Sequence, residues 1–150
     1  MTHLITRQAA VDAIAGHLAD RTAFVVLAPP DLLAETTGRL RHLPGWTGYL
    51  DTGRDTVAQG NAEQFAALCG VAQVLGRPAV AVLTIPKTVP ARRVAQALRR
   101  PVAADGSQDV LVVRVDGGPV CWPLLFVDAL ERVEPAAAAQ LHAEDLAGLS

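Results

Sequence analysis

The sequence predicts an α/β fold of Rossmann-like kind: one domain, a mostly parallel sheet with helices on both faces, and a C-terminal antiparallel edge hairpin. Three observations carry this. Helix-periodic and strand-like segments alternate along the 150 residues, the order that builds parallel sheets. The strand-like runs at 22–28 and 79–85 are continuously apolar, as strands buried on both faces are. Between 61–75 and 79–85, Gly76-Arg77-Pro78 stops a helix and delivers the chain straight into a strand.

The elements follow in order. Val11, Ile14, Ala15 and Leu18 recur at helical spacing within residues 7–20. Residues 22–28 are too short for a helix and end at Pro29-Pro30. Asp31 is placed to cap a helix running to about Leu43, which Pro44-Gly45 ends. Residues 46–50 are a weaker strand, and 51–60, with two glycines, is a polar loop. The helix at 61–75 puts Phe65, Leu68, Cys69, Ala72 and Leu75 on one face, with Val71 and Val74 on another. Strand 79–85 follows, then a helix over 91–100 that stops before Pro101. Residues 110–115 form a strand, and Asp116-Gly117-Gly118 turns it into 120–126, where Pro119 favours an edge position. Pro135 opens a last, alanine-rich helix to about Leu146.

Composition narrows the function classes. Half of the residues are apolar and only 4% aromatic, so the core rests on Val, Leu, Ile and Ala. A net charge of −2 gives no global attraction to nucleic acid or anionic membrane. No apolar run approaches the roughly 20 residues that span a bilayer, and the first residues lack the basic and apolar regions of a signal peptide. Cys69 and Cys121 are too few for a disulfide framework and have no metal-type spacing. These features predict a cytoplasmic protein without a metal centre. Lys87 is the only lysine, against twelve arginines.

Parallel sheets bind ligands outside the carboxyl ends of their strands. That rule nominates the loops at 28–31, 51–60 and 84–88. No Gly-x-Gly-x-x-Gly or Gly-Lys-Ser/Thr phosphate loop is present, and Pro29-Pro30 stands where a dinucleotide fold needs glycine. His3, His17, His42 and His142 fall on helices or the terminus, away from those loops. The acidic candidates are Asp31, Asp51, Asp55 and Glu63; Glu63 sits in a first helical turn, where the dipole favours a carboxylate. A basic stripe comprises Lys87, Arg92, Arg93, Arg99 and Arg100, its arginines opposite Val94, Ala95 and Leu98.

The run Glu63, Ala66, Gly70-Val71-Ala72, Gly76-Arg77-Pro78-Ala79-Val80, Thr84 resembles the pyrimidine-binding (PYR) domain of thiamine-diphosphate enzymes. Residues 24–33, Phe-Val-Val-Leu-Ala-Pro-Pro-Asp-Leu-Leu, resemble that domain's first strand, proline loop and next helix, so the likeness covers about residues 5–86. The resemblance implies that Glu63 is the catalytic glutamate that bonds the aminopyrimidine ring and promotes the ylid-forming tautomer. It also implies that Pro29, Pro30, Thr84 and Lys87 line the cofactor edge. The Gly-Asp-Gly half with its downstream Asn is missing, so thiamine diphosphate and Mg would be held only with a partner subunit, as in a split decarboxylase or lyase. The same Gly-x-Ala helix and Gly-Arg-Pro joint resemble nucleoside deoxyribosyltransferase-like proteins, but their catalytic glutamate position is Leu68 here.

Two other readings stand beside the lyase. One is a non-catalytic binding or scaffold protein that holds a protein partner, or another copy of itself, through the basic helix or the Trp122 hairpin. The other is a nucleoside or nucleotide transferase or hydrolase using Asp51 or Asp55. None of the three calls for nucleic acid or membrane as partner.

Overall fold

The computed structural model describes residues 3–28, 30–51, 56–75, 79–98 and 110–115. In chain order the elements are β1 (His3–Thr6), α1 (Arg7–His17), β2 (Arg21–Ala28), α2 (Pro30–Gly38), β3 (Thr47–Asp51), β4 (Thr56–Asn61), α3 (Ala62–Leu75), β5 (Ala79–Pro86), α4 (Ala91–Leu98) and β6 (Leu111–Val115). The strands form one six-stranded sheet in the order β1-β4-β3-β5-β2-β6. Every neighbouring pair is antiparallel. The expected mostly parallel, Rossmann-like sheet is therefore overturned. The expected C-terminal hairpin and last helix lie outside the described residues.

The reason lies in β4. The α2 crossover does return the chain in the direction it left: β2 and β3 point the same way, as do β4 and β5 across α3, and β5 and β6 across α4. β4 reverses the chain directly after β3, so β5 arrives pointing the opposite way and inserts between β3 and β2. Same-direction strands end up interleaved, never adjacent. Residues 51–60, expected to be a polar loop, contain that reversing strand. Ala58 and Gly60 leave room on it for α3: a Cβ on Gly60 would lie 3.2 Å from Leu68.

The handedness rule for such crossovers then sorts the helices. The β1-to-β2 connection crosses the sheet in the opposite sense from the β2-to-β3 connection, so α1 must take the opposite face to keep the same hand. Accordingly Phe24, Val26, Ala81, Leu83 and Leu50 face Leu33, Phe65, Leu68, Val94 and Leu98 of α2, α3 and α4. Ala23, Val25, Leu27, Tyr49, Val57, Val80 and Val82 face Ala10 and Ile14 of α1.

Helix ends follow local chemistry. Thr6 caps α1, its Oγ1 accepting from the Ala9 N–H at 3.1 Å. Pro30 opens α2, where its missing N–H is not needed, so Asp31 stands inside the first turn instead of capping it. After Gly38 the chain tightens into turns, with N–H groups of Arg39, Leu40, Arg41 and Leu43 bonding three residues back. This is why α2 ends before the expected Leu43.

Candidate functional site

The residues nominated for one cofactor site are not brought together. Pro30 follows the Ala28 end of β2, whereas Lys87 follows Pro86, which pairs with Arg21 at the other end. The seven residue steps between Arg21 and Ala28 separate these ends by roughly 24 Å of strand. Thr84 is fully buried on the α1 face, its hydroxyl donating to the Thr47 carbonyl at 3.4 Å. Glu63 is exposed in the first turn of α3, on the opposite face. Pro29 and Asp55 lie outside the described residues, as do Cys121, Trp122, Arg99 and Arg100.

Asp51 is taken up by structure. Arg7 donates to it through Nε at 2.8 Å and Nη2 at 3.0 Å, a two-pronged pair that ties the first residue of α1 to the end of β3. The carboxylate is completely buried and the arginine 20% exposed. Beside it, burial raises the Tyr49 hydroxyl's pKa, partly offset by the Arg21 charge and by the hydrogen bond that Gln59 donates to it. Cys69 is buried, and desolvation pushes its thiol up to about 12, far from a reactive thiolate. Among the described residues no three His, Cys, Asp or Glu side chains gather in a metal-type group, and no helix is long and apolar enough to cross a membrane.

At the Arg21 end of the sheet, three loops lock together. Arg21 Nη1 donates to the Gly45 carbonyl. The Lys87 N–H donates to the Asp20 backbone carbonyl at 3.0 Å, and its Nζ donates to the Ala19 carbonyl at 3.1 Å. Gly45 adopts φ +83°, a conformation that suits glycine best, and a Cβ there would lie 3.4 Å from Cγ of Pro86. The turn after α1, the α2–β3 loop and the β5–α4 loop are thereby one surface.

That surface is basic. Arg41, His42, Lys87, Arg92 and Arg93 are exposed on it, and Arg21 is half-buried. Among the described residues, its exposed carboxylates are Asp20 and Glu63. Arg92 and Arg93 occupy the first turn of α4, which Pro90 begins by accepting from the Arg93 and Val94 N–H groups, and no acidic residue stands in that turn. Cations at a helix N-terminus oppose its dipole, each by about 0.3–1 kcal/mol. The fold thus carries positive charge where its own stability disfavours it.

A cleft opens at the same end, between the α2–β3 loop and α3. Two adjoining hollows of about 550 Å³ each share Arg41, Trp46, Ala62 and Glu63, a size within the range of roughly 300–1,000 Å³ usual for small-ligand pockets. One runs along Arg41–Thr47 and Asn61–Glu63; the other reaches between α2 and α3 to Thr37, Gly38, Phe65 and Ala66. Its walls are stiff. The Trp46 indole donates to the Leu40 carbonyl at 3.0 Å, and its ring meets Phe65 edge-on at 5.7 Å and 69°. Gly48 lies directly under Phe65, where a Cβ would overlap the ring. Asn61 and Gln64 cap α3 reciprocally, each side-chain oxygen accepting the other's backbone N–H at 3.0 Å.

Sequence reasoning found Glu63, Lys87, Arg92 and Arg93 but not Arg41, His42 or Trp46. Arg39, Arg41 and His42 crowd the end of a helix just before Pro44-Gly45, a signal that was available. Only the α3 side of the cleft, facing them from residues 61–66, required the fold.

Comparison with protein-family models, curated proteins and solved structures found no match.

Proposed function

We propose that this chain is a non-catalytic binding module that holds an acidic protein partner against the Arg21 end of its sheet. One observation carries the reading: Arg41, Lys87, Arg92 and Arg93, from separate segments, are held on one interlocked surface, two of them against the dipole of α4. Such a patch steers an oppositely charged partner and fixes its orientation. We prefer this to the lyase reading because, of the residues nominated for its cofactor, Pro30 and Lys87 follow opposite ends of the sheet and Thr84 and Glu63 belong to opposite faces. With two cysteines, Cys69 a buried free thiol, the chain suits a reducing compartment, and we place its work in the cytosol.

The test is capture from the native host with wild type and with Arg92→Glu/Arg93→Glu. The wild type retains an acidic protein that elutes as salt rises, and the reversal loses it while melting at the same temperature or slightly higher. Retention unchanged by the double reversal would sink the reading. Glu63→Gln discriminates further: a catalytic glutamate loses its activity on this change, whereas removing a carboxylate from this surface tightens an acidic partner.

A further inference from the structure

We infer that the cleft beside Arg41 is the specificity pocket of this surface and takes an apolar side chain from a short acidic segment of the partner. The inference rests on the binding-module reading and adds the partner's chemistry. The hollow between α2 and α3 is lined by Ala34, Gly38, Ala62 and Ala66 over the buried Trp46 and Phe65 rings, with Arg41 and Glu63 also on its lining. The adjoining hollow carries Arg41 and His42 on its rim. Lys87, Arg92 and Arg93 lie beyond Gly45 and Pro86 on the same end. An aliphatic or aromatic residue flanked by carboxylates matches both parts: the apolar side chain matches the hollow and the carboxylates match the basic rim. An acidic segment without the apolar residue leaves the hollow wet, and an apolar segment without carboxylates leaves the cations unmatched. Glu63 stands on the shared wall of the two hollows, so it rejects acidic residues placed too near α3 and sets the register of the segment.

Gly38 provides a clean probe. A Cβ built there meets nothing within 4 Å and Gly38 lines the hollow, so Gly38→Leu is expected to crowd the hollow from α2, and it improves helix propensity. The experiment measures binding of two labelled peptides, Asp-Glu-Leu-Phe-Glu-Asp and Asp-Glu-Ser-Ser-Glu-Asp, to the full chain by fluorescence anisotropy at low and at physiological salt. The first is expected to bind at least roughly tenfold more tightly than the second. Gly38→Leu removes that difference with no loss of melting temperature, and Glu63→Gln tightens both peptides. If the two peptides bind equally and Arg92→Glu/Arg93→Glu abolishes both, the pocket is overturned and the basic surface stands. If neither peptide binds and partner capture survives the reversal, both readings fall. A single-stranded oligonucleotide that binds more tightly than either peptide, unaffected by Gly38→Leu, overturns the acidic-segment inference in favour of nucleic acid.

Discussion

Among the described residues, twenty buried side chains fill the cluster under α2, α3 and α4, against nine in the cluster under α1. The larger face is closed by aliphatic packing and one aromatic pair; the polar side chains that α2 buries are the two short hydroxyls of Thr36 and Thr37, and the charged groups of the basic surface stay exposed at the rim. The smaller face is covered, among the described helices, by α1 alone, which buries only Ala10 and Ile14. It keeps polar groups inside: Asp51 with Arg7, Tyr49 with Gln59, and Thr84. A buried ion pair contributes little net stability but is expensive to break. The α1 face is therefore held by specific pairing, and the α2–α4 face by volume. A face held by volume can lose or reverse charges at its end without unfolding, which is why the basic surface and the cleft can lie there.

Three measurements sharpen or break this comparison. Phe65→Ala removes the ring that spans Gly48 and Trp46 and is expected to lower the unfolding free energy by about 3–5 kcal/mol, read from denaturant midpoints; a loss below that of Arg7→Ala would reverse the ranking of the faces. Arg7→Ala is expected to lose about 2–3 kcal/mol, less than a fully buried pair because the arginine keeps part of its surface in water. Arg7→Met with Asp51→Leu should recover much of that loss, and failure to do so would mean the pair contributes more than its geometry. The smallest effect near neutrality comes from Cys69. Its thiol is pushed up to about 12 in the fold, while in the unfolded chain it ionises near 8.5. The associated stability is full below the unfolded value and is lost as pH rises toward the folded one. In a Cys121→Ser background the urea midpoint should therefore fall between pH 8 and pH 10 more steeply than in Cys69→Ala; parallel curves would show that the thiol is not shielded.

Much of the fold was legible where residue pattern alone decides it. The strands expected at 22–28, 79–85 and 110–115 and the helices expected at 61–75 and 91–100 each have the right type over their described residues, because continuous apolar runs and helical spacing are local signals. Strand direction was not legible, because it turned on β4. Thr-Val-Ala-Gln-Gly-Asn begins with two strand formers, but the next four residues are small or polar, with Ala58 and Gly60 small where α3 packs, so its composition resembles a loop. Missing that one reversal turned interleaved antiparallel neighbours into an imagined parallel sheet, and a ligand rule that applies to parallel sheets then nominated loops at both ends. β1 was lost similarly: four residues, His-Leu-Ile-Thr, become a strand only because β4 offers them an edge. For the site, the basic residues of α4 were visible as a stripe, but their convergence with Arg41 and His42 depends on contacts between segments far apart in sequence.

Asn61 ends β4, pairing with Thr47 of β3, and also caps α3. No linker separates the strand from the helix. One wall of the cleft, residues 61–66, is thus joined through a single residue to the strand beside the other wall, which enters β3 at Thr47. The α3 wall cannot swing away from the start of β3 without disturbing the β3–β4 pairing, so on that side the cleft is a fixed jaw. A ligand that enters it gains nothing from closure and pays nothing for it; affinity and its temperature dependence will be set by how ordered the incoming segment already is before it arrives.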